Sequence, residues 1–137
     1  MTNSTPMLTV IIPCYNEKDA VADTVHVVLA ILEKTVDSEL ILVDDGSDDG
    51  SQDILQSLAK ELPRLKVICH EENRGYGASL KTGIRRAQGE LIAITDADGT
   101  YPNERIPDLV EMMVDTDMVV GARTGENVEY SAIRKIP

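Results

Sequence analysis

Three aspartates follow apolar segments of the sequence and are the side chains best suited to chemistry. Asp45 comes shortly after the apolar residues 40–43, and Asp96 and Asp98 come directly after the apolar residues 91–95. Carboxylates that are held close together repel one another, and a bound cation is the usual compensation. Mg²⁺ and Mn²⁺ prefer carboxylate and phosphate oxygens. The three acids therefore predict a divalent-metal site, and solvated loop acids that cap helices are the alternative.

These acids come together only if the segments before them lie side by side in a sheet. Short apolar segments at 8–12, 40–43, 65–69, 91–95 and 118–121 alternate with segments of helical periodicity. This alternation is typical of βαβ units and predicts an α/β fold of three layers, in which a mainly parallel, Rossmann-like sheet lies between helices. In such sheets ligands bind outside the carboxyl ends of the strands. We therefore expect the residues that follow each strand to form the site.

Local signals predict where the helices begin and which faces they bury. Asn16 and Ser51 are expected to cap the first two helices, because their side-chain oxygens can accept hydrogen bonds from the first backbone N–H groups. In the third helix, at 77–88, Leu80 and Ile84 recur at helical spacing and are expected to face the core. Residues 122–137 show no convincing period, and no element is predicted there.

The two cysteines are predicted to be free thiols. In the expected strand order 3-2-1-4, the second strand lies between those that carry Cys14 and Cys69. Two strand spacings amount to about 9.6 Å, whereas a disulfide needs Cα atoms within about 7 Å of each other.

Composition and charge exclude several classes of function. The length of 137 residues suits one domain, and 24 acidic against 13 basic residues give a net charge of -11. This excess argues against binding to nucleic acid or to an anionic membrane surface. No apolar run approaches the ~18 residues of a membrane span, and the N-terminus does not have the pattern of a signal peptide. Two cysteines without a CxxC pair favour a cytoplasmic protein, with membrane association of a longer chain as the alternative.

Five motifs, in this order and spacing, resemble those of the family 2 glycosyltransferases, and within that family those of the dolichyl- and polyprenyl-phosphate sugar synthases. They are Ile12-Pro13-Cys14-Tyr15-Asn16-Glu17, Val43-Asp44-Asp45-Gly46-Ser47-Asp48-Asp49-Gly50-Ser51, Asn73-Arg74-Gly75, Asp96-Ala97-Asp98 and Gly121-Ala122-Arg123. The resemblance implies the GT-A fold, which is the nucleotide-diphospho-sugar transferase variant of the predicted architecture.

The resemblance also assigns roles to individual residues of this chain. In the implied nucleotide-sugar site, Pro13, Tyr15 and Glu17 border the base, and Val43 and Asp45 hold the base and ribose. Asp96, Ala97 and Asp98 lie at the metal and diphosphate, and Arg123 lies near the phosphates. The implied metal ligands are Asp96 and Asp98. Because side chains alternate along a strand, Asp44 is expected to serve the adjoining loop or a helix N-terminus instead.

The implied activity is inverting transfer of a sugar from a GDP- or UDP-sugar to a polyprenyl or dolichyl phosphate. A divalent cation would neutralise the charge that develops on the leaving diphosphate. A phosphate acceptor is already largely ionised near neutral pH, so no catalytic base is named. A hydroxyl acceptor would need one, and family members carry it beyond the region that this chain covers.

The resemblance divides the chain into three parts and leaves alternatives open. Residues 1–7 are expected to be disordered, residues 8–123 to form the nucleotide-sugar-binding part, and residues 124–137 to begin a truncated acceptor region. The alternatives are a nucleotide-sugar-binding fragment without transfer activity, a transferase that acts on a saccharide hydroxyl, and, more distantly, a phosphorelay receiver domain. The sugar, the base and the oligomeric state are not predicted.

Overall fold

A computed structural model describes residues 7–34, 37–98, 103–113, 117–122 and 130–135. Within these ranges the elements alternate between strands and helices. Their bounds are β1 (Leu8–Cys14), α1 (Val21–Leu32), β2 (Ser38–Asp44), α2 (Ser51–Glu61), β3 (Leu65–Cys69), α3 (Tyr76–Arg86), β4 (Leu91–Ile94), a short 3₁₀ helix (Asn103–Arg105), α4 (Ile106–Glu111), β5 (Met118–Ala122) and β6 (Tyr130–Lys135). No helix in these ranges is long and apolar enough to cross a bilayer.

The strands form one sheet in the order β3-β2-β1-β4-β6-β5. β1 pairs in parallel with both β2 and β4, and β2 pairs in parallel with β3. The predicted order 3-2-1-4 is therefore confirmed, and the carboxyl ends of these four strands lie at one edge of the sheet. β6 runs antiparallel to both of its neighbours.

Helices cover both faces of the sheet. On one face the even-numbered residues of β1 and β2, such as Val10 and Leu42, pack with buried side chains of α1 and α2, including Val25 and Leu55. On the other face α3 contacts β1 and β2. There a Cβ on Gly83 would lie 2.7 Å from Ile11, so α3 approaches the sheet more closely than a larger side chain would allow. The predicted three-layer architecture is confirmed.

The predicted helix starts were wrong at two positions. α1 begins at Val21, and Asn16 is a left-handed turn residue with φ of 52°. Asn is one of the residue types that tolerates this conformation. The N-cap position of α2 is Gly50, and Ser51 is already helical. The carboxylate of Asp49 accepts hydrogen bonds from the backbone N–H and the hydroxyl of Ser51, so Asp49 provides the cap that was expected of Ser51.

Two further expectations differ from the structure. α3 buries the small residues Ser79 and Gly83, whereas Ile84 is 43 % exposed, because the close approach to Ile11 leaves no room for larger side chains. β6 lies within the segment for which no element was predicted. At the start of the described chain, the Met7 backbone N–H donates to the Asp37 carbonyl, and the Met7 carbonyl accepts from the Leu91 N–H. Residues 1–6 lie outside the described ranges.

Both cysteines are free, as predicted. Cys14 and Cys69 are each aligned with Asp44 of β2, which lies between them in the sheet.

A buried carboxylate stabilises the amino-terminal edge of the sheet. Glu39 is 5 % exposed and accepts hydrogen bonds from the Thr9 hydroxyl, the Gln88 backbone N–H and the Lys66 ammonium at 2.6–2.7 Å. Burial alone would raise the pKa of Glu39, but these three donors outweigh burial and hold the pKa below its ordinary value of 4.5. The Glu39 carboxylate on β2 thus links β1, β3 and the segment before β4.

We expect Glu39→Gln to lower the free energy of unfolding by about 1–3 kcal/mol at pH 7, because a buried carboxylate that accepts three hydrogen bonds, one of them from the half-exposed Lys66, loses its charge. The folded pKa lies below the unfolded one, so the contribution of Glu39 is complete above pH 4.5 and is lost as the pH falls through the lowered folded pKa. Urea unfolding of both proteins between pH 7 and pH 3 measures this. The difference between them should shrink at acid pH, and a difference that stays constant would contradict the assignment.

Candidate functional site

An open cavity of about 410 Å³ lies at the carboxyl ends of the strands. Seven of the nine predicted site residues line it together with five others. The lining residues are Pro13, Cys14, Tyr15, Glu17, Asp45, Asn73, Gly75, Tyr76, Ser79, Asp96, Ala97 and Asp98. Of the two remaining predicted residues, Val43 is fully buried in β2 and does not line the cavity. Arg123 lies outside the described residues.

The segment that follows β4 is fixed by hydrogen bonds on both sides of Asp96. The Thr95 hydroxyl donates to the Asn103 side chain at 2.7 Å, and the Thr24 hydroxyl of α1 donates to the backbone carbonyl of Ala97 at 3.0 Å. Ala97 is 3 % exposed and packs in the core. Its anchoring places Asp96 and Asp98 on either side of it at the cavity.

Acidic side chains line the cavity and act on neighbouring titratable groups. Burial raises the pKa of Glu17, and the charges of Asp98, Asp49 and Asp96 raise it further. Burial also raises the pKa of the Tyr76 phenol, with a contribution from the charge of Asp96. The phenol therefore stays protonated and remains a hydrogen-bond donor at neutral pH. A cation would relieve the repulsion between these carboxylates.

The carboxylate oxygens that line the cavity suit a hard divalent cation as metal ligands. Asp96 and Asp98 offer carboxylate oxygens, which suit Mg²⁺ or Mn²⁺. Among the described residues, no three Asp, Glu, His or Cys side chains are arranged to hold one metal ion. Asp96 and Asp98 are two carboxylates on one segment of the cavity wall. Mg²⁺ commonly binds in this way, through one or two carboxylates plus the phosphates of a substrate.

Asp45 lines the same cavity, but its charge is compensated within the protein. One carboxylate oxygen is 2.8 Å from both the His70 ring and the Arg74 backbone N–H, and the other accepts from the Gly75 N–H at 2.8 Å. Burial would raise the pKa of Asp45, but these hydrogen bonds outweigh it and hold the pKa below its usual value. The repulsion argument for a cation therefore does not need Asp45, and Asp96 and Asp98 stay the predicted metal ligands.

Asp44 serves the adjoining loop, as predicted. It is fully buried, and its carboxylate accepts hydrogen bonds from the backbone and hydroxyl of Ser47 and from the Gln52 amide. The Ser47 hydroxyl oxygen in turn accepts from the Asn16 backbone N–H at 2.8 Å. Asp44 therefore holds the β2–α2 turn, and that turn holds the β1–α1 loop at the edge of the cavity.

The thiol of Cys14 is not a nucleophile, although it lines the cavity. Burial and the charge of Asp44 raise its pKa to about 12. The reactive form of cysteine is the thiolate, and it is scarcely populated near neutral pH at this position.

The β3–α3 loop and the first turn of α3 contribute residues that the sequence did not predict as site residues. Asn73, Gly75, Tyr76 and Ser79 all line the cavity. Their position after β3, at the same edge of the sheet as Asp45, is the signal that could have identified them. Gly75 has φ of 101°, which L side chains rarely adopt, and this conformation brings its N–H onto Asp45.

Comparisons with curated proteins reveal relatives that are identical to this chain at more than a third of the aligned residues. One relative is TuaG of Bacillus subtilis, which is named as a teichuronic acid biosynthesis glycosyltransferase. It is 38% identical over 115 residues, which are 84% of this chain and 45% of TuaG. The undecaprenyl-phosphate 4-deoxy-4-formamido-L-arabinose transferase of Photorhabdus laumondii is 38% identical over 131 residues, 93% of this chain and 40% of that protein. The chain thus spans less than half the length of these relatives.

Solved structures of glycosyltransferases share the fold. The mannosyltransferase PcManGT of Pyrobaculum calidifontis, in complex with GDP-Man and Mn²⁺, superposes with a TM-score of 0.75 at 23% identity, over 96% of this chain and 45% of PcManGT. Residues 1–349 of S. aureus TarS in complex with UDP give a TM-score of 0.71 at 25% identity, over 88% of this chain and 36% of that chain. The fold of the described residues is therefore GT-A.

A sequence model of one family covers nearly the whole chain. The model described as Glycosyl transferase family 2 matches residues 9–136. This match excludes the phosphorelay receiver domain that the sequence left open. Together with the GT-A fold and the named relatives, the match shows that this chain belongs to glycosyl transferase family 2.

Proposed function

We propose that the cavity binds a nucleoside-diphosphate sugar, and that the chain is the donor-binding part of an enzyme that transfers the sugar to a polyprenyl phosphate with inversion. The observation that carries the proposal is the convergence on one cavity of seven residues predicted from three separate motifs. The named relatives include transferases that act with undecaprenyl phosphate. Two of the fold relatives were solved with GDP-Man and Mn²⁺ or with UDP.

The proposed donor position follows the chemistry of the cavity walls. Pro13, Tyr15 and Glu17 border the base, and Tyr15 is 46 % exposed, so its ring is available for contact. Asp45 Oδ2 accepts one hydrogen bond within the described chain. A carboxylate oxygen has room for two, and the second would come from a ribose hydroxyl or a base N–H. Val43 supports this wall from the core without touching the ligand.

Asp96 and Asp98 would hold Mg²⁺ or Mn²⁺ against the diphosphate of the donor. When bound, the cation supplies Lewis-acid stabilisation of the negative charge that develops on the leaving nucleoside diphosphate. It also reconciles an acidic cavity with an anionic ligand. Arg123 is proposed to lie near the phosphates, where its guanidinium could form a bidentate contact.

The proposed transfer is a direct displacement at the anomeric carbon. An oxygen of the acceptor phosphate attacks from the face opposite the diphosphate, and the bonding electron pair of the broken C–O bond leaves with the nucleoside diphosphate. The acceptor phosphate is already ionised, so no side chain has to remove a proton. This chain contributes donor binding, orientation and charge compensation to that step.

We expect GDP or UDP to raise the melting temperature of the chain more with Mn²⁺ or Mg²⁺ than with a chelator. Asp98→Asn should weaken the metal-dependent binding about tenfold or more, because a charged ligand of the cation is lost. Titration calorimetry in Mn²⁺ and in EDTA measures both effects. Asp53→Asn is a matched control, since it removes one exposed carboxylate of α2 that does not line the cavity. Equal binding in EDTA would contradict the proposed role of Asp96 and Asp98.

Donor binding and sugar transfer should separate in this chain. The residues proposed for the base, ribose and metal lie within the described cavity, whereas the relatives are more than twice as long as the matched region. Transfer also requires an aligned acceptor, and alignment supplies several kcal/mol of the barrier. We expect nucleotide binding with little or no transfer to polyprenyl phosphate, and transfer by a longer chain that keeps Asp98. A radiolabelled nucleotide-sugar assay on both proteins tests this, and full turnover by the 137-residue chain would contradict it.

A further inference from the structure

His70 is a buried titratable side chain that has no part in the proposed transfer. It follows β3, is 7 % exposed and does not line the cavity. Its Nδ1 lies 2.8 Å from Asp45 Oδ1, and its Nε2 lies 2.8 Å from the hydroxyl oxygen of Thr82 on α3. The imidazole therefore bridges the carboxyl end of β2 and the helix on the other face of the sheet.

The partners of the ring determine which nitrogen donates. An ionised carboxylate can only accept, so Nδ1–H donates to Asp45. In the neutral ring Nε2 then accepts from the Thr82 hydroxyl, which can act as a donor or an acceptor. Both nitrogens are engaged, so the ring has one orientation.

Asp45 transmits this constraint to the wall of the cavity. The oxygen that faces His70 also accepts from Arg74 N–H, and the other oxygen accepts from Gly75 N–H. The Asn73 amide donates to the backbone carbonyl of Asp45 at 3.3 Å. Asn73, Gly75 and the next residue, Tyr76, line the cavity. The position of this wall therefore depends on the orientation of one carboxylate.

We propose that His70 is a positioning residue for the donor site, which acts through Asp45 to fix the segment 73–76 at the cavity. Without the imidazole donor, Asp45 Oδ1 keeps only the Arg74 N–H as a partner. A buried carboxylate that loses a donor turns toward water, and for Asp45 water is in the cavity. The wall would loosen, and the Asp45 carboxylate would leave the position from which its Oδ2 is proposed to bind the ribose or base. This inference rests on the proposed function.

Two substitutions separate the two hydrogen bonds of His70. The side-chain amide of Asn lies near the position of Nδ1, and that of Gln lies near the position of Nε2. His70→Asn therefore keeps a donor for Asp45 and loses the contact with Thr82. His70→Gln keeps the contact with Thr82 and loses the donor for Asp45. Each variant removes the ring and one hydrogen bond. A purely space-filling role for His70 would impair the smaller Asn more than Gln, which is the opposite of the order expected here.

The experiment measures binding of GDP and UDP with Mn²⁺ by titration calorimetry for the wild-type chain and both variants. We expect His70→Gln to bind the nucleotide about tenfold or more weakly, as for a lost hydrogen bond to a charged group, and His70→Asn to stay within about threefold of wild type. Backbone hydrogen exchange provides a second readout. The Arg74 and Gly75 amides should lose protection in His70→Gln and keep it in His70→Asn.

Melting temperatures and a control variant separate this effect from a general loss of stability. Glu39→Gln destabilises the opposite edge of the sheet and should leave nucleotide affinity unchanged. Equal affinities of His70→Asn and His70→Gln, or unchanged protection of Arg74 and Gly75 in His70→Gln, would overturn the inference and leave donor binding intact. If the wild-type chain binds neither GDP nor UDP, donor binding itself is refuted, and the exchange data alone then decide whether His70 fixes the loop.

Discussion

Two consecutive carboxylates at the end of β2 organise the loops around the cavity. Asp44 and Asp45 are 0 % and 4 % exposed, and burial of charge is tolerable only because each accepts several hydrogen bonds. Alternation along the strand sends the two side chains to different partners. Asp44 binds the β2–α2 turn, which binds the β1–α1 loop, and Asp45 binds the β3–α3 loop. One dipeptide thus connects the loops that follow three of the parallel strands.

This arrangement divides the acidic residues into two groups with different physical roles. Asp44, Asp45 and Glu39 are compensated by donors within the protein and act as structural anions. Glu17, Asp96 and Asp98 line the cavity, where the pKa of Glu17 is raised by burial and by the neighbouring charges. The charges of Asp96 and Asp98 act on Glu17, whereas Asp45, which also lines the cavity, is bound by His70, Arg74 and Gly75. The net charge of the chain includes the carboxylates of Asp44, Asp45 and Glu39. It is therefore not a measure of the charge at the cavity.

Most of the sheet could be predicted from the sequence because its central strands are buried on both faces. Continuous apolar runs such as residues 40–43 are typical of strands that helices cover on both sides. Predictions failed where tertiary contacts outweigh local pattern. α3 packs through Ser79 and Gly83 because the distance to Ile11 selects small residues, and hydrophobic periodicity cannot detect such a face. Likewise β6 obtains its hydrogen bonds from β4 and β5, and its own sequence has no distinct period.

The site was predictable to a similar extent. The motifs located the strand ends that meet at the cavity, but residue type alone could not show which protein donors a carboxylate would meet. Asp45 is bound by His70, Arg74 and Gly75, which come more than twenty residues later in the sequence. His70 in turn contacts Thr82 of α3, a further element that comes later in the sequence.

The position of β6 between β4 and β5 has a consequence for the order in which the chain folds during synthesis. β5 leaves the ribosome before β6, yet it pairs with β6 and not with β4. Until residues 130–135 emerge, β4 exposes an open edge with unpaired backbone groups, and such edges template intermolecular pairing. The nascent chain can assemble β1 to β4 early, but protection of that edge must wait for β6. Chaperone binding or transient aggregation during translation would therefore centre on β4, which the finished sheet buries.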